Sequence, residues 1–163
     1  MDTAKKILAL EDFMSRLGKI RESGQKIVFT NGCFDILHVG HVRYLADARS
    51  EGDLLVVGLN SDASVRIIKG DKRPIVCQNH RAEVLASLGC VDFIIIFDEP
   101  DPLKLIQNLK PDVLVKGEDW TEDAIVGAEF VKSQGGKIVR ISFVEELSTT
   151  AIIEKIRQRY RGD

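Results

Sequence analysis

Residues 28–41 decide the fold, and they read Val28-Phe29-Thr30-Asn31-Gly32-Cys33-Phe34-Asp35-Ile36-Leu37-His38-Val39-Gly40-His41. The stretch begins as a short apolar run of the β type, breaks at Gly32, and ends on two histidines. An amphipathic pattern follows and predicts a helix from His41 to about Ser50. A strand that passes through a small-residue turn into a helix is the usual phosphate-binding corner of an α/β sheet.

The rest of the chain alternates between two kinds of pattern. Helical periodicity covers 10–23, 61–68, 80–88, 102–109, 124–133 and 148–160, and strand-like apolar runs cover 28–31, 54–59, 91–97, 112–116 and 137–141. This alternation predicts an α/β fold: a doubly wound, mostly parallel five-stranded Rossmann-like sheet with helices on both faces. Because no linker or repeat is visible, we expect 1–163 to form one domain, with an N-terminal helical segment, 1–25, packing on it.

Composition argues against several classes of protein. The net charge of −2 on 163 residues gives no basic footprint for nucleic acid. No apolar stretch approaches the roughly 20 residues that cross a bilayer, and the first residues lack the apolar core of a signal peptide. We therefore expect a cytoplasmic protein that binds neither nucleic acid nor membrane.

The cysteines indicate reduced thiols. Cys33, Cys77 and Cys90 are odd in number and have no close metal-ligand spacing. Cys33 lies inside the corner, so a nucleophilic role has to be considered, although an in-line attack on a phosphate needs no covalent protein intermediate.

His38 and His41 are the first candidates for chemistry. If a helix begins at His41, both rings can lean towards one anion, helped by the backbone N–H groups of the helix start. Imidazole N–H groups could then donate to phosphate oxygens as charge develops on them. Two other interpretations stay open: a pair of metal ligands, although no further ligands complete a site, or rings that satisfy loop carbonyls.

Two neighbours of the histidines have simpler expected roles. Gly40 fits a close approach of backbone to a ligand. Asp35 is expected either to point inward and hold the loop or to form a local Asx turn.

The basic loop at 69–74 is the next candidate. A lysine on a loop can close over a triphosphate and neutralise its charge, and Lys69 is the first choice, before Lys72 and Arg73. The alternative is a solvated basic loop. Arg81, in the following helix, is a further candidate for a ligand contact. On sequence alone, a cation at the surface or at an interface is an equally good interpretation of Arg81.

Two later segments are candidates for ligand contacts. Residues 116–120 (KGEDW) lie at the end of a predicted strand. Backbone carbonyl groups of such a glycine-containing segment can form hydrogen bonds with the edge of a nucleobase. The alternative is a β-turn with Trp120 in the core. Residues 148–150 (STT) crowd a helix start with hydroxyl groups. They form either an N-cap worth about 1 kcal/mol or a second anion site.

The GCFD and HVGH segments at 32–35 and 38–41 together resemble the signature of the cytidylyltransferase-like nucleotidyltransferases. From about residue 10 to 156 the chain is most similar to the heptose 1-phosphate adenylyltransferase branch. The KGEDW and STT segments resemble the family's GxDW and ISTT elements. Phe143 stands where many cytidylyltransferases, but not this branch, have an arginine, which leaves the counter-charge to Lys69, Arg73 or Arg140. The resemblance gives no reason for the acidic Glu145 and Glu146 beside it.

The resemblance implies an enzyme of ADP-heptose and lipopolysaccharide biosynthesis. It would transfer AMP from ATP to D-glycero-β-D-manno-heptose 1-phosphate, with Mg²⁺ carried on the triphosphate, no protein metal site, a homodimeric state and a stand-alone domain. The implied catalytic residues are His38, His41 and Lys69; the nucleotide-binding residues are Thr30, Asn31, Gly32, Cys33, Phe34, Gly40, Arg81, Lys116, Gly117, Glu118, Asp119, Ser148, Thr149 and Thr150; the substrate-binding residues are Asp35, Lys72 and Arg73.

Three alternative functions remain. The nearest is a CTP-dependent transferase acting on glycerol 3-phosphate or a similar alcohol phosphate. A non-catalytic nucleotide-sensing module would keep the phosphate site without turnover. A nicotinamide-dependent oxidoreductase would share the architecture, but the first turn lacks G-x-G-x-x-G.

Overall fold

A computed structural model describes residues 3–142 and 148–160 of the chain. Its centre is a six-stranded sheet in the order β1-β4-β3-β2-β5-β6, and all five strand pairings are parallel. The strands are β1 Ile7–Leu8, β2 Ile27–Gly32, β3 Leu54–Asn60, β4 Phe93–Phe97, β5 Val113–Gly117 and β6 Lys137–Ile141. The parallel α/β architecture predicted from the sequence is confirmed.

The strand count of five is wrong, because the sheet has six. The additional strand, β1, pairs Ile7 with Ile94 and Leu8 with Ile95 at one edge of the sheet. Two residues are too few to show a period-2 pattern, so nothing in the sequence separates β1 from the helix that follows it.

The helices lie where the sequence predicts them, with shifted ends. They are α1 Leu10–Glu22, α2 Val39–Ser50, α3 Asp62–Lys69, α4 Gln78–Ala86, α5 Leu103–Leu109, α6 Ala128–Ser133 and α7 Thr149–Arg159. The largest difference is in α6, predicted to begin at Ala124. A 3₁₀ turn occupies Glu122–Ala124, and Gly127 has a left-handed φ of 85°, so the α-helix begins only at Ala128.

Helices cover both faces of the sheet. Successive residues of β2 point to opposite faces: Val28 is buried in a cluster with Leu45 of α2 and Leu85 of α4, and Phe29 in a second cluster on the other face. That second cluster contains Phe13 of α1, Ile106 of α5 and Val131 of α6. None of the helices in the described ranges is long and apolar enough to cross a bilayer.

The strand order creates a switch point between β2 and β5. From β2 the sheet grows one way through β3, β4 and β1, and from β5 the other way through β6. In doubly wound sheets the crevice outside the carboxyl ends of the strands at such a point is where ligands bind. The corner at residues 32–41 follows β2 directly and therefore lies at this crevice.

Candidate active site

A cleft of about 460 Å³ opens at the carboxyl ends of the central strands. Its volume falls in the range of about 300–1,000 Å³ that is usual for small-molecule sites. The sequence-predicted residues that line it are Asn31, Gly32, Cys33, Phe34, Asp35, His41, Lys69, Arg73, Lys116, Ser148, Thr149 and Thr150. The fold therefore brings together most of the candidate residues, from segments more than 100 positions apart.

The start of α7 meets the corner that follows β2. The Thr149 hydroxyl donates a hydrogen bond to the Ile36 carbonyl at 3.4 Å. Ser148, the N-cap of α7, lines the same cleft as His41, which lies in the first turn of α2. Two helix N-termini, each with its partial positive charge, thus face one cleft.

The His38 and His41 rings stack on each other. Their centroids are 3.8 Å apart, with 23° between the planes. Among the described residues no group accepts from or donates to His38 Nδ1, His38 Nε2 or His41 Nδ1, all three of which are buried. The interpretation in which both rings satisfy loop carbonyls is therefore wrong. Buried polar atoms without partners cost free energy, so these nitrogens are suited to a ligand.

Both imidazoles are held in the neutral form at pH 7. Burial lowers the pKa of His41 to about 4, with a further contribution from His38, and burial also lowers the pKa of His38. A bound polyanion would act in the opposite direction, because negative charge favours the imidazolium. The described residues contain no group of three or more His, Cys, Asp or Glu side chains placed to hold a metal ion.

The conformation of Phe34 accounts for the glycine at position 32. Phe34 adopts a left-handed φ of 44°, and its ring folds back over Gly32. The Phe34 ring contacts the His41 ring edge-on, with 5.2 Å between the ring centroids. A Cβ on residue 32 would lie 3.0 Å from the Phe34 ring. A side chain at position 32 would therefore press on the Phe34 ring, which contacts His41.

Cys33 does not have the environment of a nucleophile. Burial raises the pKa of its thiol, and the nearby Lys69, Arg81 and Arg73 offset this only in part. The reactive form of a cysteine is the thiolate, so a thiol that stays protonated opposes the covalent interpretation.

Asp35 points inward, as one of its two predicted interpretations states, but the segment that it holds is the basic loop and the residues that follow it. Its buried carboxylate accepts from the Val76 and Ile75 amides, each at 2.8 Å, and from Arg73 Nε at 2.5 Å. Burial alone would raise the pKa of Asp35, but these hydrogen bonds outweigh it and hold the pKa below its ordinary value. The alternative interpretation, in which Asp35 forms a local Asx turn, is wrong. Because three protein groups already donate to this carboxylate, it has little capacity left to bind a substrate.

Arg81 is neither a surface cation nor an interface cation. Its completely buried guanidinium donates to the Cys33 carbonyl at 2.5 Å, the Val76 carbonyl at 2.9 Å and the Asp62 carboxylate at 2.8 Å. The arginine ties the corner to the basic loop and to α3. Its prediction as a direct nucleotide contact does not fit this burial, because the guanidinium does not line the cleft.

His38, Thr30, Gly40 and Lys72 also lie outside the cleft lining, although the His38 ring stacks on His41, which lines the cleft. The Thr30 hydroxyl is fully buried and lies 2.7 Å from the Tyr44 hydroxyl, and Gly40 is buried in the first turn of α2. Lys72 is exposed. Thr30 and Gly40 support the corner, whereas Lys72 would have to move to reach a ligand bound in the cleft.

The 116–120 segment divides into inner and outer residues. The Lys116 ammonium lines the cleft and donates to Asn31 Oδ1. Gly117 lines a smaller adjoining pocket, whereas Glu118, whose carboxylate accepts from the Ser142 hydroxyl, and Asp119 are exposed. Trp120 is 47% exposed and lines the cleft, so its placement in the core is wrong.

The N-cap predicted at Ser148 is confirmed. Its hydroxyl oxygen accepts from the Ala151 amide at 3.0 Å. Arg140, a candidate for the counter-charge, is exposed and donates to the Trp120 carbonyl at 3.4 Å. Phe143, Glu145 and Glu146 lie outside the described residues.

Several lining residues were not predicted from the sequence. They are Asn60, Ile68, Pro100, Asp101, Pro102, Ile125 and Val126. Asn60 could have been found, because it is the last residue of β3 and strand ends face the ligand in this fold class. The loop 100–102 carries no comparable signal.

Comparison with known proteins decides the family. The Cytidylyltransferase-like family model matches residues 29–155, which include the corner, the cleft-lining strands and the start of α7. The chain belongs to this family. It is a nucleotidyltransferase.

The relatives agree with this assignment. Over 140 residues the nucleotidyltransferase is 58% identical to "Bifunctional protein HldE" of Geobacter sulfurreducens, covering 86% of this chain and 29% of that protein. Over 158 residues it is 53% identical to the protein of the same name from Helicobacter acinonychis, covering 97% of this chain and 33% of the relative. The chain thus spans about a third of the length of these relatives.

Two solved structures are also similar. A lipopolysaccharide core biosynthesis protein from Thermoplasma volcanium GSS1 has 34% identity and a TM-score of 0.62, covering 75% of this chain and all of that one. A pantoate-beta-alanine ligase from Francisella tularensis has 23% identity and a TM-score of 0.56, covering 92% of this chain and 78% of that one. The second similarity concerns the fold alone.

Proposed function

We propose that this nucleotidyltransferase transfers AMP from ATP to D-glycero-β-D-manno-heptose 1-phosphate, giving ADP-heptose and pyrophosphate for lipopolysaccharide synthesis. The observation that carries the proposal is the cleft where the histidine corner, Lys69 and the start of α7 meet. The sugar half of the proposal is supported by the relatives named HldE and by the lipopolysaccharide core biosynthesis protein.

The proposed reaction is a direct phosphoryl transfer. An oxygen of the acceptor phosphate attacks the α-phosphorus in line, the bond from that phosphorus to the bridging oxygen breaks, and pyrophosphate leaves with the electron pair. The chain contributes orientation and charge neutralisation, which are the main sources of catalysis in such reactions. The protonated Cys33 thiol is consistent with a reaction that has no covalent intermediate.

The histidine pair, Lys69 and the start of α7 each have a part in this reaction. The neutral imidazoles of His38 and His41 donate N–H hydrogen bonds to the α-phosphate and the bridging oxygen, where negative charge grows. Lys69, exposed at the last residue of α3, reaches over the cleft and bridges the donor and acceptor phosphates. The hydroxyls and amides at 148–150 hold the pyrophosphate as it leaves.

Mg²⁺ would enter with the triphosphate and neutralise charge on its oxygens. Such an ion keeps several waters and needs few protein carboxylates, and Asp101 lines the cleft as one carboxylate it could approach. Homodimer formation, a cytoplasmic location and a single domain over 1–163 remain expectations from the sequence.

The test is a matrix of substrates. The purified protein is incubated with ATP or CTP and with heptose 1-phosphate or glycerol 3-phosphate, and pyrophosphate release and product mass are measured. We expect release with ATP and heptose 1-phosphate, and the mass of ADP-heptose. Release with CTP and glycerol 3-phosphate would favour the alternative transferase. Nucleotide binding by calorimetry without release in any combination would contradict both and favour a nucleotide sensor.

A further inference from the structure

We propose that the Lys116 ammonium binds a phosphate group of a substrate, as a cation built into the floor of the cleft. From the sequence, the segment 116–120 is expected to read the edge of a nucleobase, but the geometry points to an anion. The inference rests on the proposed function only in taking a phosphorylated substrate as the occupant of the cleft.

Strand register places Lys116 at the switch point of the sheet. Phe29 of β2 pairs with Leu114 of β5 in a parallel register. Two residues further along each strand, Asn31 and Lys116 lie side by side on the same face, since side chains alternate with a period of two. Both line the cleft, at the carboxyl ends of the two strands between which the sheet switches direction.

The ammonium has unused capacity for an anion. It offers three N–H donors, and among the described residues it donates to the neutral Asn31 Oδ1. Within the described residues no carboxylate lies at ion-pair distance from it. Burial lowers the pKa of Lys116 to about 8, and Asp119 and Cys33 offset this only in part. Lys116 is half-buried, and a cation removed from water without a paired anion costs free energy, which is typical of a site that binds a charged ligand.

The surroundings select phosphate over a base edge. The charged residues among the described lining are Lys69, Arg73, Lys116, Asp35 and Asp101. Arg73 and Asp35 pair with each other at 2.5 Å, which leaves two lysines against one aspartate. The Ser148 and Thr150 hydroxyls and the His41 ring add further hydrogen-bond donors. The edge of a nucleobase presents hydrogen-bond donors and acceptors together, whereas phosphate oxygens only accept. Because a lysine supplies donors only, Lys116 matches a phosphate group better than a base edge.

Lys116 and Lys69 differ in how they are held. Lys69 is exposed at the end of a helix, so its side chain must be ordered when a ligand binds. Lys116 extends from a central strand and is fixed by Asn31, so most of that ordering is already complete in the free protein. A group held on a rigid element before binding contributes more affinity for each contact.

The test measures binding rather than turnover. Lys116→Met removes the charge and the donors, and Lys116→Gln keeps a donor for Asn31 without the charge. The matched control is Lys137→Met, which removes an exposed lysine at the opposite end of the neighbouring strand β6. ATP, CTP and heptose 1-phosphate are each titrated by calorimetry at pH 7.5 into the wild-type protein and the variants.

We expect both Lys116 variants to bind a phosphorylated ligand about 10- to 100-fold more weakly, the range for a hydrogen bond to a charged group. Lys137→Met should bind within twofold of the wild-type protein. Loss for the triphosphates assigns Lys116 to the donor, and loss for heptose 1-phosphate assigns it to the acceptor. Unchanged affinity of both Lys116 variants for every ligand that the wild-type protein binds would overturn the assignment. A wild-type protein that binds none of them would overturn the proposed function, and the assignment with it.

Thermal unfolding separates a binding role from a structural one. Because Lys116 has no described carboxylate partner, Lys116→Met should melt at the wild-type temperature or above it. A lower melting temperature with unchanged affinity would mean that Lys116 only supports the fold, and would contradict the inference.

Discussion

Two regions beside the cleft differ in whether their buried polar groups have hydrogen-bond partners. In the first, which we call the braced loop (residues 70–77 with Asp35 and Arg81), both buried charged groups are satisfied by protein partners. In the second, the open pair (His38 and His41), three buried ring nitrogens have no partner among the described residues. The first arrangement stabilises the folded state, and the second reduces stability unless a ligand binds.

The difference shows how to assign roles within one signature. The sequence places Asp35, Arg81 and the two histidines in one list of functional candidates. Hydrogen-bond satisfaction separates them: the braced loop positions the corner, and the open pair is available to the substrate. Substitutions in the two regions should therefore change different measured quantities.

The largest effect is expected in the open pair. His41→Ala or His38→Ala should lower turnover about 100- to 1,000-fold, the cost of losing one donor to developing negative charge. Neither variant should lower the melting temperature substantially, because three of the four ring nitrogens have no hydrogen-bond partner within the described part of the chain. His80→Ala, at an exposed position of α4, is the control. Near wild-type turnover in the folded variants would contradict the assignment.

The braced loop should respond through stability. Arg81→Met leaves two backbone carbonyls and the Asp62 carboxylate without their partner, so we expect a loss of about 3 kcal/mol in the free energy of unfolding. Urea denaturation measures it, with the exposed Arg43→Met as a control that should stay within about 0.5 kcal/mol. Unchanged stability with weakened nucleotide binding would move Arg81 into the ligand-binding group.

The open pair should also make stability depend on pH. The pKa of His41 is about 4 in the folded protein and about 6.5 in an unfolded chain. The unfolded state therefore binds more protons below pH 6.5, and stability falls as the pH decreases towards 4. We expect a loss on the order of 1–2 kcal/mol between pH 7 and pH 5 by urea denaturation. His41→Gln should lose less over the same interval, and an identical loss would contradict the pKa difference.

The smallest effect is expected at the start of α7. Ser148→Ala removes the cap on the Ala151 amide and should cost about 1 kcal/mol in unfolding free energy. Ser133→Ala, an exposed serine in the last turn of α6, is the matched control. Pyrophosphate affinity, measured by calorimetry, tests the second role: a weaker affinity supports an anion site, and an unchanged one leaves Ser148 as a cap only.

The sequence predicts the architecture well where the signal is local. The apolar run into Gly32, the alternation of helices and strands, and the cap at Ser148 depend on neighbouring residues, and all are found in the structure. Strand β1 was missed because two residues show no period. The late start of α6 depends on a left-handed backbone at Gly127 that the helical pattern conceals.

The sequence cannot assign roles that depend on distant partners. Asp35 is satisfied by residues 38 to 41 positions away, and Arg81 by a carbonyl 48 positions away. The half-buried position of Lys116 beside Asn31 depends on the register between β2 and β5, and the exposure of Trp120 depends on the cleft that it lines. Residue type identifies these side chains as candidates, but only packing shows which still have capacity for a ligand.

The central claim is that the open pair binds a phosphate group of the substrate. Nuclear magnetic resonance of the two imidazoles tests it most directly. The chain has three histidines, and the third, His80, is exposed on α4 and lies outside the open pair. In the free protein His38 and His41 should titrate below the ordinary value near 6.5. On saturation with a non-hydrolysable ATP analogue, the pKa values of His38 and His41 should rise, because a bound polyanion favours the imidazolium. Titration curves of His38 and His41 that are unchanged by the bound analogue would contradict the account.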